Sequence, residues 1–265
     1  MKLSNIHTHT TYSDGIGSIR ENIDEALQCG FVSLGISDHS YTDYEDICLK
    51  RDAETQYISE IRHLASEYSG QIEIYCGIEL DSNSVYDTSA FDYVIASVHS
   101  LKINEEYYPV DFGENAQRQL IERFFNGNEV EFSKRYYDEL YRHVSHTLPD
   151  VVGHFDLITK YNSIDEESRE YRDTALKALR ETARFCNRFE VNTGGMSRGY
   201  KKTPYPAEFL LRELLSLGGH VIVTSDAHDP ATLAYAFDET YTMLREIGFT
   251  SADRLTSHGF ITEPI

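Results

Sequence analysis

The chain has 265 residues, 40% of them hydrophobic, enough for one large domain with its own core or for two small ones. Its 24 Lys and Arg against 44 Asp and Glu give a net charge of −20. So acidic a surface argues against nucleic-acid or anionic-membrane binding, but leaves room for a phosphorylated substrate held through metal ions. The four cysteines, Cys29, Cys48, Cys76 and Cys186, are scattered without a CxxC pair, which reads as free thiols in a reducing compartment. No signal-peptide core or membrane-length apolar run is present, so a cytoplasmic protein is expected.

Strand-like and helix-like segments alternate along the chain. Apolar, β-branched runs bounded by polar residues or glycine predict strands at Leu3–Ile6, Val32–Ser37, Ile72–Ile78, Tyr93–Val98, Val151–Gly153, Phe189–Asn192 and His220–Thr224. Between the first two, Ser18 and Glu21 form a capping box ahead of Ile23, Ala26 and Leu27, with Gly30 as the stop. Tyr57, Ile61, Leu64 and Tyr68 make a second helical stripe ended by Gly70, and Leu210, Leu211, Leu214 and Leu215 a later one ended by Gly218-Gly219. Residues 165–187 and 231–247 also read as helices. This alternation implies parallel strands with right-handed crossovers. Seven units fit a closed or nearly closed barrel, with a doubly wound open sheet as the competitor. Residues 100–149 are too long for an ordinary connection and contain helical pieces at about Glu114–Phe125 and Val130–Thr147. They are expected to form an insertion over one end of the barrel. No linker divides residues 1–265, which read as a single domain.

The chemistry lies at the strand ends. His7 and His9 alternate onto one face at the end of the first strand, and Asp14 lies in the loop beyond. His39, Glu79, His99 and His154 follow the next four strands, and Asp226 and His228 follow the last. Barrel enzymes build their sites on that carboxyl-terminal face. Six imidazoles and three carboxylates exceed the needs of one ion and point to two or three divalent metals, with Zn, Fe and Mn all suited to the donors. His63, His143, His146, His220 and His258 lie on helix, strand-start or tail positions and are expected to be structural.

These residues resemble the PHP, or polymerase and histidinol phosphatase, family. The motifs are His7-Thr8-His9 with Asp14-Gly15, Ser37-Asp38-His39, Gly77-Ile78-Glu79, Ser97-Val98-His99, Gly153-His154 and Ser225-Asp226-Ala227-His228, and the likeness spans essentially the whole chain. It implies a distorted (β/α)7 barrel, TIM-like, with a trinuclear metal centre. Carried over, His7, His9, Glu79 and Asp226 would hold the first metal, Glu79, His99 and His154 the second, and Asp14, His39 and His228 the third. Within the family the chain is similar to the phosphatases that hydrolyse L-histidinol phosphate in histidine biosynthesis. The supporting features are the insertion before His154 and the run Glu190-Val191-Asn192-Thr193-Gly194-Gly195 leading to Arg198.

That resemblance implies a phosphomonoesterase in which a metal-bridging hydroxide attacks phosphorus in line. Arg198 and Lys160 would offset phosphate charge, Asn192 would contact the phosphate, and Asp226 or His228 would orient the nucleophile or move protons. Asp43 in the acidic loop 41–46 and Asp111 in the insertion would receive the substrate's ammonium and imidazole. Three rivals share less of the pattern. A phosphoesterase of nucleotides or nucleic-acid ends is disfavoured, for nucleic acid, by the acidic charge. A noncatalytic metal-binding module would be expected to have lost ligands. A carbon–nitrogen hydrolase would show a lysine at a strand end, where none stands.

Overall fold

The computed structural model describes residues 2–85 and 87–265. The seven predicted strand regions form one parallel sheet: β1 (Ser4–Asn5), β2 (Ser33–Ile36), β3 (Glu73–Asp81), β4 (Tyr93–Ser97), β5 (Val151–Val152), β6 (Arg188–Asn192) and β7 (His220–Thr224), paired in chain order. The first and last strands meet just past their carboxyl ends, where Thr8 bridges Ala227 and the His9 amide donates to the Ala227 carbonyl at 2.8 Å. The sheet therefore curls into a nearly closed barrel rather than lying open, and its closure falls on the ligand-bearing segments.

Inward-facing side chains Ile6, Tyr75, Tyr93, Ile95, Val151 and Ile222 fill the barrel. Tyr93 crosses the middle and donates to the Ile6 carbonyl at 2.5 Å. Its ring needs the space that Gly35 and Gly77 leave: a Cβ at Gly77 would lie 2.1 Å from the ring, and one at Gly35 2.2 Å from the phenol oxygen. Gly77→Ala is therefore expected to destabilise the fold by about 1–3 kcal/mol or more, through overpacking. A urea midpoint equal to that of the wild type would refute this packing role.

Eight α-helices among the described residues accompany the strands: α1 (Ile19–Gln28), α2 (Glu54–Glu67), α3 (Glu114–Phe125), α4 (Glu129–Thr147), α5 (Arg169–Thr182), α6 (Gly194–Ser197), α7 (Glu208–Ser216) and α8 (Phe237–Ile247). The Ser18–Glu21 capping box is formed, and Gly30 takes the left-handed conformation after α1. Two helices are shorter than the sequence pattern suggests. Ser168 caps the amide of Tyr171 and starts α5 there, while Ala236, in the left-handed region at φ 56°, delays α8 to Phe237.

Residues 100–149 hold the two expected helices and also an antiparallel hairpin, Ser100–Ile103 with Glu106–Pro109, directly after His99. Within this segment α4 packs on β4 and α5 and leads into β5, so it is the crossover helix of that unit. The hairpin stands at the barrel mouth, where Tyr107 stacks on Tyr44 at 3.9 Å. A second unanticipated hairpin, Ser251–Thr256 with Gly259–Pro264, closes the opposite end. Leu255 joins the barrel-interior cluster, and Asp253 accepts from Arg188 at the start of β6 at 2.7 Å.

Candidate metal centre

Each strand end delivers its ligand through backbone pairing. The His39 position bridges Glu79 across β2 and β3, and the β1–β7 closure sets His7 and His9 beside Asp226. Gly15 packs so tightly on the His9 backbone, with a would-be Cβ 2.5 Å from its carbonyl, that only glycine fits there, and this turn brings Asp14 back to the mouth. Asp226 sits at φ 49°, a sparsely populated conformation for a side-chain-bearing residue and one that recurs at functional sites.

All nine predicted ligand residues converge. Glu79 is the hub: its Oε2 lies 3.3 Å from His7 Nε2, 3.5 Å from His9 Nε2 and 2.8 Å from His39 Nδ1, and its Oε1 lies 2.9 Å from His154 Nε2 and 3.4 Å from His99 Nε2. Asp226 Oδ1 lies 3.1 Å from His9 Nε2 and 3.7 Å from His7 Nε2. Asp14 Oδ2 is 3.2 Å from His228 Nε2, and its Oδ1 is 3.6 Å from His39 Nε2. Three overlapping donor groups result: His7, His9 and Glu79; His39, Glu79 and His99; and His9, Asp14, His39 and His228. The imidazoles of His9 and His39 are thus shared between neighbouring groups, whereas the family likeness assigned each to one metal.

The donors fit metal ions rather than one another. His7 Nε2, both nitrogens of His9 and Glu79 Oε2 are buried without a hydrogen bond of acceptable geometry. Polar atoms left so inside a protein are costly, and their convergence marks the places of cations. Burial, with His228 and His39 alongside, pushes His9 down to about 3, leaving a neutral imidazole. Burial alone would raise the Glu79 carboxyl, yet His7, His39 and His99 and the hydrogen bond with His154 hold it well below the usual carboxylate range. Asp226 behaves likewise under Arg198 and His7. Positive charge at this spot is what keeps both carboxylates ionised.

Behind the ligands stand three carboxylates that sequence reasoning missed. Glu190, fully buried in β6, accepts from His7 Nδ1 at 2.7 Å, from Thr224 at 2.8 Å and from the His154 amide. Asp81 accepts from the His99 amide at 3.2 Å, and Asp38 accepts from Thr10 and Ser13 under the Asp14 loop. Glu190 thereby fixes the tautomer and orientation of the His7 imidazole, while Asp81 and Asp38 hold the backbone and loops that carry His99 and Asp14. Signals were present: Asp81 shares a strand face with Glu79, Asp38 precedes His39, and Glu190 is a charge inside an apolar run. Glu190→Gln is expected to weaken metal binding by about ten- to a hundredfold, read by competition with a chelator. Unchanged affinity would reduce Glu190 to a packing residue.

The centre forms one side of a cavity of about 580 Å³, lined also by Tyr44, Glu45, Asp111, Phe112, Lys160 and Arg198. One-turn α6 presents Arg198, which donates to Asp226 Oδ2 at 2.8 Å and to His228 Nδ1 at 3.0 Å. Gly194 makes room for this contact, since a Cβ there would lie 2.8 Å from Arg198 Nη2. Lys160 also faces the cavity, but its Nζ is 2.8 Å from Asp111, so that carboxylate is already paired. Two expected substrate contacts are not at the cavity. Asn192 is buried, with its Oδ1 accepting from the Gly194 amide and its Nδ2 donating to Glu190, and so shapes the α6 turn. Asp43 points to solvent, while its neighbour Glu45 turns inward.

Residues 5–193 match the PHP domain, well over half of the chain. The chain belongs to the PHP family. This PHP protein is 26% identical over 261 residues to the histidinol-phosphatase of Bacillus subtilis, covering 88% of this chain and 96% of that one. It is 25% identical over 259 residues to a probable histidinol-phosphatase of Schizosaccharomyces pombe, covering 89% and 83% respectively. Its fold matches the crystal structure of histidinol phosphate phosphatase from Lactococcus lactis, complexed with zinc, L-histidinol and phosphate, with a TM-score of 0.76 at 22% identity over 98% of this chain and 99% of the other.

Proposed function

We propose that this PHP protein is a metal-dependent phosphomonoesterase that hydrolyses L-histidinol phosphate to L-histidinol and phosphate, a step of histidine biosynthesis. The observation that carries the reading is the convergence of nine donor residues at one barrel mouth, seven in the overlapping groups with His154 and Asp226 beside them, open to a cavity with two cationic side chains, in a chain that aligns over nearly its full length with histidinol-phosphatases. His7, His9, Asp14, His39, Glu79, His99, His154, Asp226 and His228 would hold two or three divalent ions, Zn, Fe or Mn. When bound, the ions supply Lewis acidity and an acidified water for in-line attack on phosphorus.

The chain's own residues do the rest. Arg198 and Lys160 offset the charge of the phosphate, with the Arg198 fork suited to two of its oxygens. Asp226 and His228, which hold Arg198, orient the attacking water or carry its proton. Residues 1–265 act as one phosphoesterase domain. The −20 charge favours a small phosphorylated substrate over nucleic acid. No helix among the described residues is long and apolar enough to cross a membrane. The reading takes the enzyme as cytoplasmic, where the four free cysteines would stay reduced, and the −20 charge disfavours an anionic membrane as partner.

The test is phosphate release by metal-reconstituted protein from L-histidinol phosphate beside p-nitrophenyl phosphate. Strong preference for the former is expected. Equal, feeble turnover of both would leave a PHP phosphoesterase of another small phosphoester.

A further inference from the structure

Five carboxylates line the active-site cavity: Asp14, Glu45, Asp46, Asp111 and Asp226. Four have cationic or imidazole partners. Asp14 faces His228 at 3.2 Å, Asp46 faces Lys50 at 3.3 Å, Asp111 faces Lys160 at 2.8 Å and Asp226 faces Arg198 at 2.8 Å. Glu45 is the exception. Its Oε1 accepts from Ser100 Oγ at 2.9 Å, and among the described residues no Lys, Arg or His lies within ion-pair distance of it. Burial pushes its carboxyl up despite the nearby His99 and the Ser100 hydrogen bond. A carboxylate drawn out of water without a counter-charge is costly to keep, and an arriving cation offsets that cost.

Its surroundings fit the same partner. Ser100 follows ligand His99 directly, so Glu45 stands on the wall beside the metal centre. Ile47 and Phe112 also line the cavity yet are 50% and 82% exposed, an apolar rim open to solvent. A phosphoester anchored at the metals would extend its alcohol portion between this carboxylate and that rim.

We infer that Glu45 is the specificity-determining residue that receives a positively charged nitrogen of the leaving alcohol. This rests on the phosphatase reading above and deepens it. Of the two negative positions expected from the sequence, Asp43 is turned away and Asp111 is paired with Lys160, which leaves Glu45 to discriminate. Selection then comes from charge complementarity at a distance from the reacting phosphorus, so it acts on substrate binding more than on the chemical step.

The experiment compares wild type and Glu45→Gln, both metal-loaded, on L-histidinol phosphate and on p-nitrophenyl phosphate, whose alcohol portion carries no cation. Glutamine preserves the shape and an acceptor for Ser100 while removing the charge. KM for L-histidinol phosphate is expected to rise by about ten- to a hundredfold with kcat changed little, and kcat/KM for p-nitrophenyl phosphate to stay within about twofold. An unchanged KM for L-histidinol phosphate, or an equal loss on both substrates, would overturn the role of Glu45. Failure of the phosphatase reading is visible separately, as a wild type that does not prefer L-histidinol phosphate, and it would take the inference with it.

Discussion

Glu79→Ala is expected to remove bound metal and activity together, lowering kcat/KM by about a thousandfold or more. Five imidazoles approach its two oxygens between 2.8 and 3.5 Å, from His7, His9, His39, His99 and His154. They come from strand ends right across the barrel. Without this carboxylate, the group built on His39 with His99 loses its anionic member, and the one built on His7 with His9 keeps only Asp226. Elemental analysis after dialysis reads the metal directly. A second readout is thermal: a ligand that binds only the native state stabilises it by about 2.7 kcal/mol at a hundred times its dissociation constant. Added zinc or manganese should therefore raise the Tm of chelator-treated wild type and leave that of Glu79→Ala nearly unmoved. Full metal content in the variant would sink the bridging role.

The strand-end ligands were legible because two local signals coincided. All but Asp14, which lies in the loop beyond His9, stood just past an apolar, β-branched run, and parallel barrels gather such positions at one mouth whatever their spacing along the chain. What sequence reasoning missed depended on tertiary contacts. The insertion hairpin turns on Asn104 and Glu105, both at positive φ, and Asn-Glu lacks the Asn-Gly signature that marks such a turn. The C-terminal hairpin carries Asp253 and Arg254 within a strand. These charges break the expected alternation and become intelligible only through Arg188, Glu263 and Glu73 across the barrel end. The acidic loop shows the same limit. Thr42 and Cys48 are buried, and Cys48 contacts the carbonyl oxygens of Thr42 and Glu45, so the loop folds on itself and turns Glu45 inward in place of Asp43. Glu190 read as part of a strand because only the arrival of His7 and His154, from distant segments, gives its charge a purpose.

Arg198→Ala is expected to lower kcat/KM for the phosphoester by about ten- to a thousandfold while the protein keeps its metal. The side chain is about one-third exposed and reaches the cavity from α6, so its loss opens no core void. Its guanidinium lies between Asp226 and His228, at the edge of the donor cluster, and can turn its free donors to a phosphate there. If the contact strengthens as charge develops on the phosphoryl oxygens, kcat and kcat/KM fall together; if it serves binding alone, KM rises with kcat unchanged. Arg198→Lys, which retains charge without the planar fork, should recover only part of the loss. The metal content separates this role from that of Glu79. A variant depleted of metal would mean that Arg198 acts by holding Asp226 in place, and one with unchanged kcat/KM would remove Arg198 from the reaction altogether.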